Sequence, residues 1–277
     1  MPWHTRGVRD LTLPCASLLL PLLLCGCPTE EEPPVVDATE TETGEPSCLD
    51  AGSPDPDIVI NTNEDIQELQ LSECVNARMI ISGGQISDLT PLSTIREIKA
   101  LEIRSNSILT TLQGLDNIVR VDELIVTLNS NLADLGPFPD LATVNSISIT
   151  NNDALASLGS FPGISELSRL TIRSNPSLES YGGFSNLSNV TGDVDLSDGD
   201  TPDFTGLESL TTVGGGLTIE NNDGLTSLAG LEVSTIGGDL YIVGNSNLSN
   251  CFIMDYLLEV EVGGATVWNN NMTDVCN

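Results

Sequence analysis

Residues 192–204, GDVDLSDGDTPDF, crowd Asp193, Asp195, Asp198, Asp200 and Asp203 together. Hard oxygen donors at that density suit calcium, which makes Asp193, Asp195, Asp198 and Asp200 candidate ligands. Their spacing fits neither the EF-hand loop nor the glycine-rich nonapeptide calcium repeat. An acidic protein also produces such clusters by composition alone. Other reactive groups are scarce. His4 is the one histidine and Lys99 the one lysine, and the chain has neither a Gly-Lys-Ser/Thr phosphate loop nor a Gly-x-Ser-x-Gly elbow. Paired carboxylates could serve a glycosidase or a calcium-dependent lyase. The expectation is nevertheless a chain without catalysis and without a resident cofactor, calcium being the one candidate.

The cysteines carry the clearest covalent signals. Arg6 and Arg9 precede an apolar run, Leu11 to Leu24, too short for a comfortable membrane span and typical of a secretory signal. It ends in Leu24-Cys25-Gly26-Cys27, which has the arrangement of a bacterial lipobox with Cys27 as the lipidated residue. Residues 1–26 are thus expected to be a lipoprotein signal peptide, and the protein an exported lipoprotein of the outer membrane or cell surface. Cys48, Cys74, Cys251 and Cys276 remain. In an exported protein they suggest two disulfides. Four cysteines allow three pairings, of which the local one, Cys48–Cys74 and Cys251–Cys276, is simplest. Zinc is disfavoured because removal of residues 1–26 leaves no His, no Cys-x-x-Cys is present, and the cysteine pairs lie at opposite ends.

Charge narrows the partners. The 277 residues hold 40 Asp+Glu against 9 Lys+Arg, a formal charge of −31. Such a surface repels nucleic acid and anionic headgroups. Residues 27–57 begin with Cys27 and continue as PTEEEPPVVDATETETGEPSCLDAGSPDPD, rich in Pro, Thr, Glu and Asp and devoid of Lys and Arg. That composition cannot offset the entropy of ordering, and implies a disordered acidic tether. Aromatic residues are 4% of the chain, which implies an aliphatic core.

The elements that must position any site repeat. Short apolar strands start at Leu101, Leu124, Ile147, Leu170, Val194, Leu217 and Leu240, at intervals of 23, 23, 23, 24, 23 and 23 residues. Five positions after each start stands an Asn: Asn106, Asn129, Asn152, Asn175, Asn222 and Asn245, with Gly199 the exception. Leucines follow eight positions after six of these starts, and a further apolar residue eleven positions after five of them. One coil cannot bury its apolar side alone, whereas stacked coils share a continuous core. An Asn on every coil can bond its neighbours' main chain through both ends of its amide. The asparagines are therefore expected to be a structural ladder. Asn-x-Ser/Thr matches at Asn186, Asn189, Asn247 and Asn271 carry little weight behind a bacterial lipobox.

Alternate strand residues point outward. One outward column holds Glu102, Ile125, Ser148, Thr171, Asp195, Thr218 and Tyr241; another holds Arg104, Thr127, Thr150, Arg173, Ser197, Glu220 and Val243. Arg104, Arg173, Thr127, Thr150 and Tyr241 form the candidate binding face. Arg104 and Arg173 are read as two coils apart, ~9–10 Å if the strands stack in register. The bland alternative pairs each Arg with a carboxylate such as Glu102 or Glu220.

The stretches LTIRSNPSLES and LTIENNDGLTSLAGLEVSTIGGDLYIVGNSNLSN resemble the receptor L-domain, a leucine-rich-repeat-like solenoid found in growth-factor receptor ectodomains, fungal wall proteins and bacterial surface proteins. Gly192-Asp193-Val194-Asp195-Leu196 and Gly238-Asp239-Leu240-Tyr241-Ile242 are similar to its strand start, and NEDIQELQLSECVNARMIISGG to its N-terminal cap, with a short helix near Ile66 and Leu69. The resemblance covers residues 58–277. It implies a mainly β, right-handed parallel β-solenoid with ~23-residue coils, disulfide-capped ends and little helix. The Cys-rich modules of receptor ectodomains are missing, so receptor signalling is not implied. A non-catalytic surface module that binds a protein or a glycan is the leading expectation. An envelope spacer and a carbohydrate-active enzyme are the alternatives.

Overall fold

Alternating aliphatics, an Asn turn and spaced leucines can all be buried only if successive coils stack. The computed structural model has that arrangement. It describes residues 49, 53–69 and 72–274, all within one compact unit, Glu45–Asn277. The proposed signal peptide, Cys27, most of the tether, Cys48 and Cys276 lie outside the described residues. The fold is a mainly β solenoid of about 9 turns of ~23 residues.

Among the described residues, ten parallel strands form the long sheet in chain order. They are β1 (Ile58–Ile60), β2 (Cys74–Ile81), β3 (Glu97–Arg104), β4 (Arg120–Thr127), β5 (Thr143–Thr150), β7 (Arg169–Arg173), β9 (Val194–Ser197), β11 (Leu217–Glu220), β13 (Leu240–Val243) and β15 (Thr266–Asn269). A second parallel sheet takes β6 (Glu166–Leu167), β8 (Asn189–Val190), β10 (Thr212–Val213), β12 (Thr235–Ile236) and β14 (Glu261–Val262). Register follows the sequence repeat: Leu101 pairs with Leu124, Leu124 with Ile147, Ile147 with Leu170, Leu170 with Val194, Val194 with Leu217 and Leu217 with Leu240.

These columns face one continuous core running from Ile60 to Ile253. Each fully buried Leu or Ile contributes ~1.5–3 kcal/mol relative to exposure, and only the neighbouring coils supply that burial. The core is not purely aliphatic. Phe138, Phe161 and Phe184 stack at centroid distances of 5.2 and 5.1 Å, and Tyr181 stacks on Phe204 at 5.6 Å. A small number of rings suffices because the repeat brings successive ones into line.

After β3, β4, β5, β7, β9 and β11 the chain turns through a left-handed residue: Ser105, Leu128, Asn151, Ser174, Asp198 and Asn221 all have φ between 54 and 59°. The ladder Asn comes next, except after Asp198, where Gly199 follows. At one end α1 (Asn63–Glu68) starts at a capping box in which Thr62 Oγ1 accepts the Asp65 N–H, and Asp65 accepts the Asn61 and Thr62 N–H groups. Those two main-chain donors hold the Asp65 carboxyl below its usual range. Near the other end α2 (Asn250–Tyr256) buries Ile253.

A corner separates the two sheets, and its length changes along the solenoid. Val121 and Leu124, Val144 and Ile147, and Leu167 and Leu170 stand three positions apart, but Val190 and Val194, Val213 and Leu217, and Ile236 and Leu240 stand four apart. That added residue accounts for the single 24-residue interval. Glycines absorb it: a Cβ on Gly215 would lie 2.6 Å from Gly192 C, and one on Gly238 would lie 2.8 Å from Gly215 C.

Candidate functional site

The ladder asparagines are buried and bonded coil to coil. Asn106, Asn129 and Asn152 each donate their main-chain N–H to the amide oxygen of the next ladder Asn, at 3.0–3.1 Å. Their Nδ2 groups donate back to Ile81 O, Ile103 O and Val126 O at 3.0–3.1 Å. The run closes at Asn175, where Gly199 has no amide to offer, and resumes when Gly199 donates its N–H to Asn222 Oδ1 at 2.9 Å. Asn222 then joins Asn245, and Asn245 joins Asn271. Asn271 is a ladder member that the 23-residue period hides, because α2 lengthens the last coil and puts it 26 positions after Asn245. All these oxygens are buried and accept from the main chain of a neighbouring coil.

The outward columns are in the expected register. Arg104 lies beside Thr127, Thr127 beside Thr150, Thr150 beside Arg173, and Arg173 beside Ser197. This corrects the spacing of the two arginines. They stand three strands apart, not two, roughly 14 Å by the strand spacing. Arg104 Nε lies 3.3 Å from Glu102 Oε1, and Glu102 also pairs with Arg78. Arg173 Nε lies 2.7 Å from Asp198 Oδ2, and its Nη1 3.7 Å from Asp195 Oδ2. The Asp198 contact, more than any other, holds the Arg173 guanidinium above its ordinary pKa. Glu220 is not its direct partner. Thr127 Oγ1 and Thr150 Oγ1 share a hydrogen bond of 2.8 Å. Tyr241 belongs to the other outward column and is remote from these four.

The calcium candidates are similarly dispersed. Asp193 pairs with Arg169 at 2.8 Å and accepts from the Gly216 N–H at 3.0 Å. Asp195 accepts from Ser197. Asp198 occupies the left-handed turn position and accepts from Asn221 Nδ2 at 3.2 Å, while Asp200 is exposed beyond Gly199. Among the described residues, no three His, Cys, Asp or Glu side chains are placed to share a metal ion. Cys74 and Cys251 are each disulfide-bonded. Their expected partners, Cys48 and Cys276, lie outside the described residues.

A different site emerges at the lengthened corner. A groove of about 550 Å³ opens on the outer face where β7, β9, β11 and β13 begin. Asp193, Gly216 and Asp239 occupy equivalent places on three successive coils, so the two carboxylates flank a position without a side chain, about 10 Å apart by the strand spacing. Asp193 is held as described, and Asp239 Oδ1 accepts the Ala265 N–H at 2.7 Å. Tyr241 leans over the Asp239 end, its hydroxyl donating to Asp239 Oδ2 at 3.3 Å, and is 38% exposed. Thr171, Asp195 and Thr218 line the sheet side, and Arg169 the far bank.

The structure thus unites Tyr241 of the candidate binding face and Asp193 and Asp195 of the calcium candidates with Arg169, Thr218 and Asp239, which no sequence motif marks as site residues. The available signal was the glycine two positions before each strand from the 24-residue interval on, Gly192, Gly215, Gly238 and Gly264, preceded by a second glycine in the last three. Side chains here can donate, accept and stack. No family model, no curated protein and no solved structure matches the chain.

Proposed function

We propose that this chain is a membrane-anchored surface lipoprotein whose solenoid binds a macromolecular partner, protein or glycan, and performs no chemistry of its own. The observation that carries the reading is the outward face of the long sheet. It is regular, mostly small and polar, and interrupted by a single-sided groove. Extended, regular faces of this type suit recognition of another large molecule. Lipidation of Cys27 and an acidic tether over residues 27–57 would hold that face away from a bacterial outer membrane. Kinship with the receptor L-domain fits the strand, Asn turn and leucine pattern. Local disulfides, Cys48–Cys74 and Cys251–Cys276, would staple the two ends.

The test uses cells lacking the gene and a soluble chain without residues 1–27. Saturable binding of that chain to the cells, lost when Thr150→Arg projects a long side chain from the sheet, is the expected result. Altered envelope integrity in the deletion strain with no saturable binding would overturn the module reading in favour of a spacer.

A further inference from the structure

We propose that the corner groove is a subsite for a neutral oligosaccharide. This rests on the binding-module reading and narrows its ligand. Sugar hydroxyls both donate and accept, and the groove offers both: the Arg169 guanidinium on one bank, the Asp193 and Asp239 carboxylates across Gly216, and the Thr218 hydroxyl between. Ring orientation is set in advance, because the Tyr241 hydroxyl is tied to Asp239 at 3.3 Å while the residue stays 38% exposed. An exposed ring with a fixed polar tip is suited to packing against the apolar C–H face of a pyranose. A volume of about 550 Å³ is ordinary for a small-ligand site.

Gly216 makes the room. A Cβ there would stand 3.1 Å from the Asp239 carbonyl oxygen, so a longer side chain would project into the gap between the carboxylates.

Charge selects the class. Asp193 is paired with Arg169 and Asp195 lies beside Arg173, which leaves Asp239 without a salt-bridge partner among the described residues. An anionic polymer is opposed by the net charge of −31. A cationic peptide finds carboxylates over the whole surface and meets repulsion from Arg169 here. A neutral, hydroxyl-rich chain uses every group in the groove without either penalty.

The experiment titrates the full chain with maltotetraose, mannotetraose, chitotetraose, tetralysine and tetragalacturonate. The expected result is saturable binding of at least one neutral tetrasaccharide, insensitive to added salt. It should weaken about tenfold or more in both Tyr241→Ala and Thr218→Arg, with the unfolding midpoint unchanged. The assignment is overturned if no neutral tetrasaccharide binds, if both variants bind as the parent does, or if only a charged probe binds. Saturable binding to cells without oligosaccharide binding would remove the groove assignment and leave the module reading standing. Loss of both would remove the two together.

Discussion

Asn152 Oδ1 accepts two hydrogen bonds from Asn129, one from its main-chain N at 3.0 Å and one from Nδ2 at 3.2 Å. Asn152 Nδ2 meanwhile donates to Val126 O at 3.1 Å, so one buried amide satisfies polar groups on the coil before it and joins Asn175 on the coil after it. Replacement by Ala strands the Asn129 N–H and leaves Val126 O short of a donor. Each such group costs ~1–3 kcal/mol when buried. Asn152→Ala is therefore expected to destabilise by about 2–5 kcal/mol in denaturant unfolding. The exposed Asn131, which bonds Ser107 O from the surface, should lose less than about 1 kcal/mol on the same change. Equal effects would contradict the ladder's structural role.

Leu128 occupies the left-handed turn position at φ 59° and is 57% exposed. A branched side chain there bears a steric penalty of ~1–2 kcal/mol that Asn tolerates better. Its counterparts Asn151 and Asn221 already carry Asn. Leu128→Asn should therefore stabilise the chain by roughly 0.5–1 kcal/mol, read as a higher midpoint without a change in denaturant slope. A lower midpoint would show that Leu128 makes contacts that outweigh its backbone strain.

Burial pushes the Tyr181 hydroxyl up to about 12, the Thr201 hydrogen bond opposing only in part, and burial also raises Tyr256. A folded-state value above the unfolded one means that the neutral form is the stabilised form. The contribution is complete below about pH 10 and declines as pH rises from 10 towards 12. For Tyr181 it amounts to on the order of 2–3 kcal/mol. Stability measured across pH 9–12 should fall, and Tyr181→Phe should flatten part of that fall while Tyr256 retains its share. An unchanged alkaline profile in Tyr181→Phe would contradict the burial argument.

The solenoid was legible because its cause is periodic. The strand starts, the Asn column and the leucines recur at one interval, and that interval fixes register, core and ladder together. Features that break the period were not legible. Asn271 stands 26 positions after its neighbour because α2 lengthens the coil. The spacing of Arg104 and Arg173 was misjudged by one coil, and their partners, Glu102 and Asp198, are set by side-chain reach that no repeat specifies. The phenylalanine stack was missed because composition gives the number of rings and not their alignment. The groove arises from one inserted corner residue, and its members Arg169, Thr218 and Asp239 sit on three different coils. In sequence they are separated and chemically ordinary.

If the solenoid is a binding module, the long-sheet face is where it meets its partner. Site-specific photo-crosslinking on intact cells tests it directly, with the reactive residue placed at Ser148 in the outward column or at Gln113 on an exposed turn outside the sheet. A discrete adduct from Ser148 and none from Gln113 is the expected result. Adducts from Gln113 alone, or from neither position, would contradict it.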